Sequence, residues 1–172
     1  GLVLECISKI NEIEEINGQA DIIRWELLYQ YGGLFVDADS ICIEPINYLM
    51  DQNKPFCGYE NENVRQGLVA TGTMAFSKNH PLTSGAISYI KSNKVSRAKT
   101  GKMAWRTVGP ELLTKLLQTK LYNDVMILPS YYFLPKHATG LQYMGHSIVY
   151  TYQEWGSTKQ NYEIMNNIEL ED

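Results

Sequence analysis

The sequence predicts an α/β layer fold, because short apolar runs of strand character alternate with longer segments of helical periodicity. The most specific observation lies between Gly18 and Ile43. There a helical segment, the pair Gly32-Gly33 and the apolar run Leu34-Phe35-Val36 lead straight into Asp37-Ala38-Asp39. An apolar run that stops at two carboxylates reads as a buried strand delivering acids to the end of a sheet. In extended backbone, alternate side chains share a face, so Asp37 and Asp39 are expected to converge on one ligand.

In chain order, Leu2, Val3 and Leu4, then Ile7, Ile10, Ile13 and Ile16, recur at a spacing of three and predict a helix over 3–16 that Asn17-Gly18 ends. Residues 19–31 place Ala20, Ile23, Leu27 and Tyr31 on one stripe, and Gly32-Gly33 stops that second helix. Asp21 and Arg24 stand three apart on it. By spacing alone they form a helical salt bridge worth a few tenths of a kcal/mol. They belong to a site if the helix lies beside the strand end at Asp37.

The strand at 34–37 is followed by another at 40–43, an apolar segment with Ile46, Leu49 and Met50, and a strand at 56–59 before the polar loop 60–65. Residues 68–76 read as a strand broken by Gly72. Pro81 opens a helix running to Ile90, with His80 as a cap or turn residue rather than a ligand. Residues 91–102 carry Lys91, Lys94, Arg97, Lys99 and Lys102, five of the 15 basic side chains, and predict a mobile surface loop, or else one that closes over an anionic ligand. Val108-Gly109-Pro110 introduces a helix bearing Leu112, Leu113, Leu116 and Leu117. A strand follows at 125–129, then the aromatic segment 131–135, which reads as core or edge strand.

The chain has 172 residues, is 44% hydrophobic and suits a single domain with a substantial core. A net charge of -4 argues against a broad basic face for nucleic acid or anionic lipid. Cys6, Cys42 and Cys57 have no metal-site spacing and leave one unpaired, which fits a reducing compartment. With no Asn-x-Ser/Thr acceptor, no signal peptide and no apolar run long enough for a membrane span, a cytoplasmic location is expected.

The ordered run Gln19-Ala20-Asp21-Ile22-Ile23-Arg24, Leu28, then Tyr31-Gly32-Gly33-Leu34-Phe35-Val36-Asp37-Ala38-Asp39 resembles the DXD-containing sugar-binding region of the family 32 glycosyltransferases. These are related to yeast initiating mannosyltransferases, bacterial capsular sugar transferases and, more distantly, clostridial glucosylating toxins. Weaker echoes follow in family order at Asn79-His80-Pro81, Val108-Gly109-Pro110, and Leu128-Pro129 with Tyr132 to Pro135.

The resemblance implies a GT-A fold, that is, a single Rossmann-like domain over 1–172 with a mostly parallel central sheet flanked by helices, lacking an N-terminal segment that relatives carry. It also implies Mn²⁺ or Mg²⁺, a UDP- or GDP-linked nucleotide-diphosphate sugar, a glycan or protein hydroxyl acceptor, and transfer with retention.

Carried over position by position, Asp39 would be the metal ligand. Asp37 would contact the donor ribose or sugar and reach the metal through water. Asp21 and Arg24 would hold the donor sugar or phosphate, with Ala20 and Ala38 in the same donor-binding run; Asp21, Asp37 and Asp39 would be the catalytic acids. The family closes its metal site with a C-terminal His and a Ser-Trp pair. Here Ser157 matches, Thr158 replaces the Trp, and Gln153 or Tyr152 stands for the His. Ser157, Gln153 and Glu154 are therefore further candidate ligands, Glu154 with Ser157 echoing the toxin relatives.

Cleaving a sugar–phosphate bond builds charge on the leaving diphosphate and an oxocarbenium-like sugar, so a metal and Arg suit the former and carboxylates the latter. Retention is compatible with a carboxylate nucleophile or with a front-face route. One alternative is a phosphatase of the haloacid-dehalogenase type, with Asp37 as nucleophile and Asp39 as acid/base. It needs a later acidic pair, for which Asp124 and the terminal Glu171-Asp172 are poor candidates. The other is a non-catalytic, carbohydrate-binding remnant of the transferase fold.

Overall fold

The structure, a computed structural model, describes residues 3–156. Its helices are α1 (Ile7–Glu12), α2 (Ile16–Tyr31), α3 (Asn47–Asp51), α4 (Pro81–Ser92), α5 (Arg97–Thr100), α6 (Ala104–Thr107) and α7 (Pro110–Gln118), with a 3₁₀ turn at Ser130–Tyr132. Its strands are β1 (Gly33–Val36), β2 (Ser40–Cys42), β3 (Phe56–Tyr59), β4 (Val69–Phe76), β5 (Met126–Leu128) and β6 (Thr151–Gln153). Among the described residues no helix is long and apolar enough to cross a membrane.

The main sheet runs β1-β4-β3-β5, and β2 pairs with β6 in a separate ribbon. The expected mostly parallel sheet is not found. β4 runs antiparallel to both β1 and β3, and only β3 and β5 are parallel. Connection length gives the reason: β3 returns into β4 through the short loop 60–68, which permits only an antiparallel pair. Between β4 and β5, helices α4 to α7 supply the crossover that parallel pairing requires.

Strand alternation divides the core into two layers. Phe35, Cys57, Met74, Phe76 and Ile127 face the layer built with α1, α2, α4 and α7, whereas Leu34, Phe56, Ala75, Met126 and Leu128 face Leu49, Phe133, Leu134 and Tyr150.

Two expected helical details change. The first helix is short, and α2 begins before Asn17-Gly18 rather than after it. Gly18 serves close approach: a Cβ there would run into Ala104 and stand 2.9 Å from Ile13 Cγ2. The stripe Ala20, Ile23, Leu27 and Tyr31 is also not the buried face. Ile22, Trp25 and Leu28 face the core, while Tyr31 is 60% exposed. The periodicity misled because Asp21, Arg24 and Glu26 are buried as well, so burial on α2 does not follow hydrophobicity.

Gly72 does not break β4, which is continuous. His80 caps α4 as expected, with Nδ1 accepting the Leu82 N–H at 3.1 Å. The basic stretch 91–102 contains α5 and is pinned by Val95, which is fully buried and whose carbonyl accepts the Thr107 hydroxyl at 2.7 Å. The aromatic segment after β5 enters the core as a 3₁₀ turn followed by Phe133 and Leu134.

Candidate active site

The turn from α2 into β1 assembles the site. Gly32 closes the helix at φ 68°, its N–H bonded to Leu28 O at 2.9 Å, and a Cβ there would collide with Lys78 N and approach Phe76 O. This tight reversal lays α2 along the sheet, so Arg24 reaches Asp37 at the end of β1.

Arg24 is the hub, with Nη2 donating to Asp37 Oδ1 at 2.5 Å and Nη1 donating to the Thr71 carbonyl of β4. Nη1 also lies 3.2 Å from Asp21 Oδ1, and the guanidinium covers the Phe35 ring at 4.5 Å. The Thr71 hydroxyl donates to Asp21 Oδ1 at 2.9 Å. Gly109 leaves room for this carboxylate, since a Cβ there would run into Asp21 Oδ2. The Asp21–Arg24 pair is thus a buried network reaching Asp37 rather than an exposed helical salt bridge.

Asp37 and Asp39 do converge, though not by strand alternation. Asp37 lies just past β1, and the Ser40 N–H bonds to its carbonyl at 3.0 Å, so Ala38 and Asp39 occupy a turn. Gln153 Nε2, at the end of β6, stands 3.2 Å from Asp37 Oδ2 and 3.0 Å from Asp39 Oδ1. Asp39 Oδ2 accepts the Gly156 N–H at 2.8 Å, and its carbonyl accepts the Glu154 N–H at 3.0 Å. Gly72 keeps this junction open, because a Cβ would stand 2.9 Å from Asp37 Oδ2 and 3.2 Å from Gln153 Oε1.

Burial governs the charges. Desolvation pushes Asp21 up to about 6 against the pull of Arg24 and the Thr71 hydroxyl. Asp37 is also raised, by burial first, with Arg24 opposing and Asp39 reinforcing. Three carboxylates against one guanidinium leave surplus negative charge at the cleft floor, a setting that favours a cation.

The donor set fits a hard divalent ion. Two carboxylate oxygens already meet at one point, and turning the Gln153 amide over would add Oε1 to them. Among the described residues no group of three or more His, Cys, Asp or Glu could hold a metal, so the remaining ligands would be water or diphosphate oxygens.

The cleft above these groups has a volume of about 1130 Å³, and Ala20, Asp21, Arg24, Asp37, Ala38, Asp39 and Gln153 all line it. The half-buried Glu154 contributes its main chain to Asp39, and its side chain is not part of that lining. Ser157 lies outside the described residues. Sequence reasoning missed Thr71, Gly72 and Gly109, and the opposite wall with Glu60, Arg65, His137 and Trp155. Glu60 did leave a signal, since it follows strand 56–59 as Asp37 follows β1.

An acid pair and a buried arginine thus gather at one end of the sheet beside an open cleft. Residues 5–56 match the family described as "Glycosyltransferase sugar-binding region containing DXD motif". An uncharacterised glycosyltransferase of Acanthamoeba polyphaga mimivirus is 24% identical over 121 residues, covering 68% of this chain and 46% of the relative. The chain therefore spans less than half of that relative's length. A solved structure named PaToxG glycosyltransferase aligns with a TM-score of 0.44 and 15% identity over 68% of this chain and 44% of its own. Both matches are to glycosyltransferases, and the family match is confined to residues 5–56.

Proposed function

We propose that this chain forms the donor site of a metal-dependent glycosyltransferase that moves a sugar from a nucleotide-diphosphate sugar to a hydroxyl acceptor with retention. The observation that carries this reading is the convergence of Asp37 and Asp39 at the cleft floor, backed by Arg24 and Asp21. Asp39 and Asp37 would hold Mn²⁺ or Mg²⁺, with Gln153 as the third side chain at that point. When bound, the ion supplies positive charge against the diphosphate leaving group.

The protein groups divide the remaining work. Arg24 is enclosed and engaged by Thr71 and Asp37, so it orients Asp37 rather than reaching far into the cleft. Asp21 fixes Arg24 in turn. Both Asp37 oxygens are bonded, Oδ1 to Arg24 and Oδ2 to Gln153, which suits holding charge better than the nucleophilic attack a phosphatase would need.

Calorimetry with UDP and with GDP, each with Mn²⁺ or with EDTA, tests the proposal. Metal-dependent nucleotide binding is the expected result, and metal-independent or absent binding overturns it. NMR of the transferred anomeric centre then tests retention.

A further inference from the structure

The cleft has a second polar pole at the end of β3. The β1–β4 register sets Val36 against Thr73, and the β3–β4 register sets Gly58 against Ala70. The ends of β1 and β3 thus emerge at the same sheet edge, with Ala70 to Gly72 forming the floor between them. Two strand spacings and an offset of four residues along β4 put the backbone of Glu60 about 16 Å from that of Asp37, with their side chains facing the cleft between.

Glu60 is only 6% exposed, yet it faces this cleft. Its Oε1 receives His137 Nε2 at 3.2 Å and Arg65 Nη1 at 3.3 Å. His137 Nδ1 accepts the Thr139 N–H at 3.2 Å, so the ring proton sits on Nε2 and is donated to Glu60. Oε2 takes no hydrogen bond from any described residue. This oxygen opens on the cleft, where a ligand hydroxyl or water can supply the donor.

We propose that Glu60 is the hydroxyl-binding group of an acceptor subsite for a neutral saccharide, an inference that rests on the transferase reading above. Charge selects the ligand. Arg65 balances Glu60, so this pole lacks the surplus negative charge that draws a cation to Asp37 and Asp39. A free carboxylate oxygen repels an anion. A sugar hydroxyl is a neutral donor and satisfies Oε2 directly. Trp155 adds an apolar wall beside it, its indole N–H anchored on the Lys136 carbonyl at 2.8 Å and its ring 5.0 Å from that of His137.

The test is saturation-transfer NMR with the methyl α-glycosides of glucose, galactose, mannose and N-acetylglucosamine as probes. At least one is expected to bind the wild-type chain, with affinity falling at least about tenfold in Glu60→Gln. Arg65→Met removes a half-exposed side chain, whose guanidinium also lies 4.9 Å from the Trp105 ring, and is expected to weaken binding about threefold by releasing Glu60. It decides the matter should Glu60→Gln fail to fold. Binding of no glycoside, or binding untouched by these substitutions, overturns the subsite. Metal-dependent UDP or GDP binding is read separately on the same samples. Nucleotide binding without saccharide binding removes the subsite alone, and saccharide binding without nucleotide binding removes the transferase reading.

Discussion

The two poles of the cleft are built alike and assembled differently. Each is a carboxylate delivered by the end of a strand and held by a buried cationic or proton-donating partner. At the aspartate pole the partners Asp21, Arg24, Asp37 and Asp39 come from one continuous helix, turn and strand, with Gln153 the distant member. At the Glu60 pole, His137 stands 77 residues away and Trp155 further still. The contrast teaches that a locally encoded site can be recognised from a motif, whereas a site closed by distant loops exists only once the sheet has formed.

Replacing Asp39 with Asn should have the largest effect. It removes a charged donor from the point where two carboxylates meet, so metal-dependent nucleotide affinity is expected to fall at least about 100-fold in calorimetry. Unaltered affinity would contradict the assignment of the aspartate pole.

Arg24→Met comes next and reads on stability. It strands buried Asp21 and leaves the partly exposed Asp37 without its cation, and urea unfolding should show a loss of about 3 kcal/mol. A loss below about 1 kcal/mol would mean the pole is solvated like an exposed ion pair, and the contrast with surface pairs would vanish.

Gly72→Ala sharpens the comparison because it alters geometry without changing charge. The added methyl crowds Asp37 Oδ2 and Gln153 Oε1, so nucleotide affinity with Mn²⁺ should drop about tenfold while the fold is kept. Saccharide binding near Glu60 should change far less.

The smallest effect is the pH dependence from Asp21. Its folded pKa is raised to about 6, so the native chain holds this proton more tightly than the unfolded chain does. Stability from this group is highest at low pH and falls as pH rises from about 4 through about 6. The urea midpoint of wild type relative to Asp21→Asn should therefore decline across that window. A difference constant with pH would show that Asp21 ionises as it does in water.

Much of the aspartate pole was legible in the residues. Gly32-Gly33 announced a tight helix-to-strand reversal, and the apolar run stopping at Asp37 announced a strand end. The reading failed where neighbours in space decide. Sequence alone makes Gly18 and Gly72 breakers, because a glycine looks the same whether it ends an element or clears space for Ala104 or for Asp37. The stripe on α2 was misplaced because buried Asp21, Arg24 and Glu26 are satisfied by partners on other elements, Glu26 by the Cys6 N–H at 2.7 Å. His137 had no local signal at all.

By itself the sequence determined the local grammar: the order of most helices and strands, which strand ends in acids, and a segment, 5–56, that matches the DXD sugar-binding region. These follow from short-range periodicity and backbone preference, which act over a few residues. Only the tertiary structure decided that the sheet is mainly antiparallel, that Gln153 bridges Asp37 and Asp39, and that Glu60 meets His137 across the same cleft. Those outcomes rest on contacts between residues far apart in the chain, and burial then shifts the protonation of the carboxylates so enclosed.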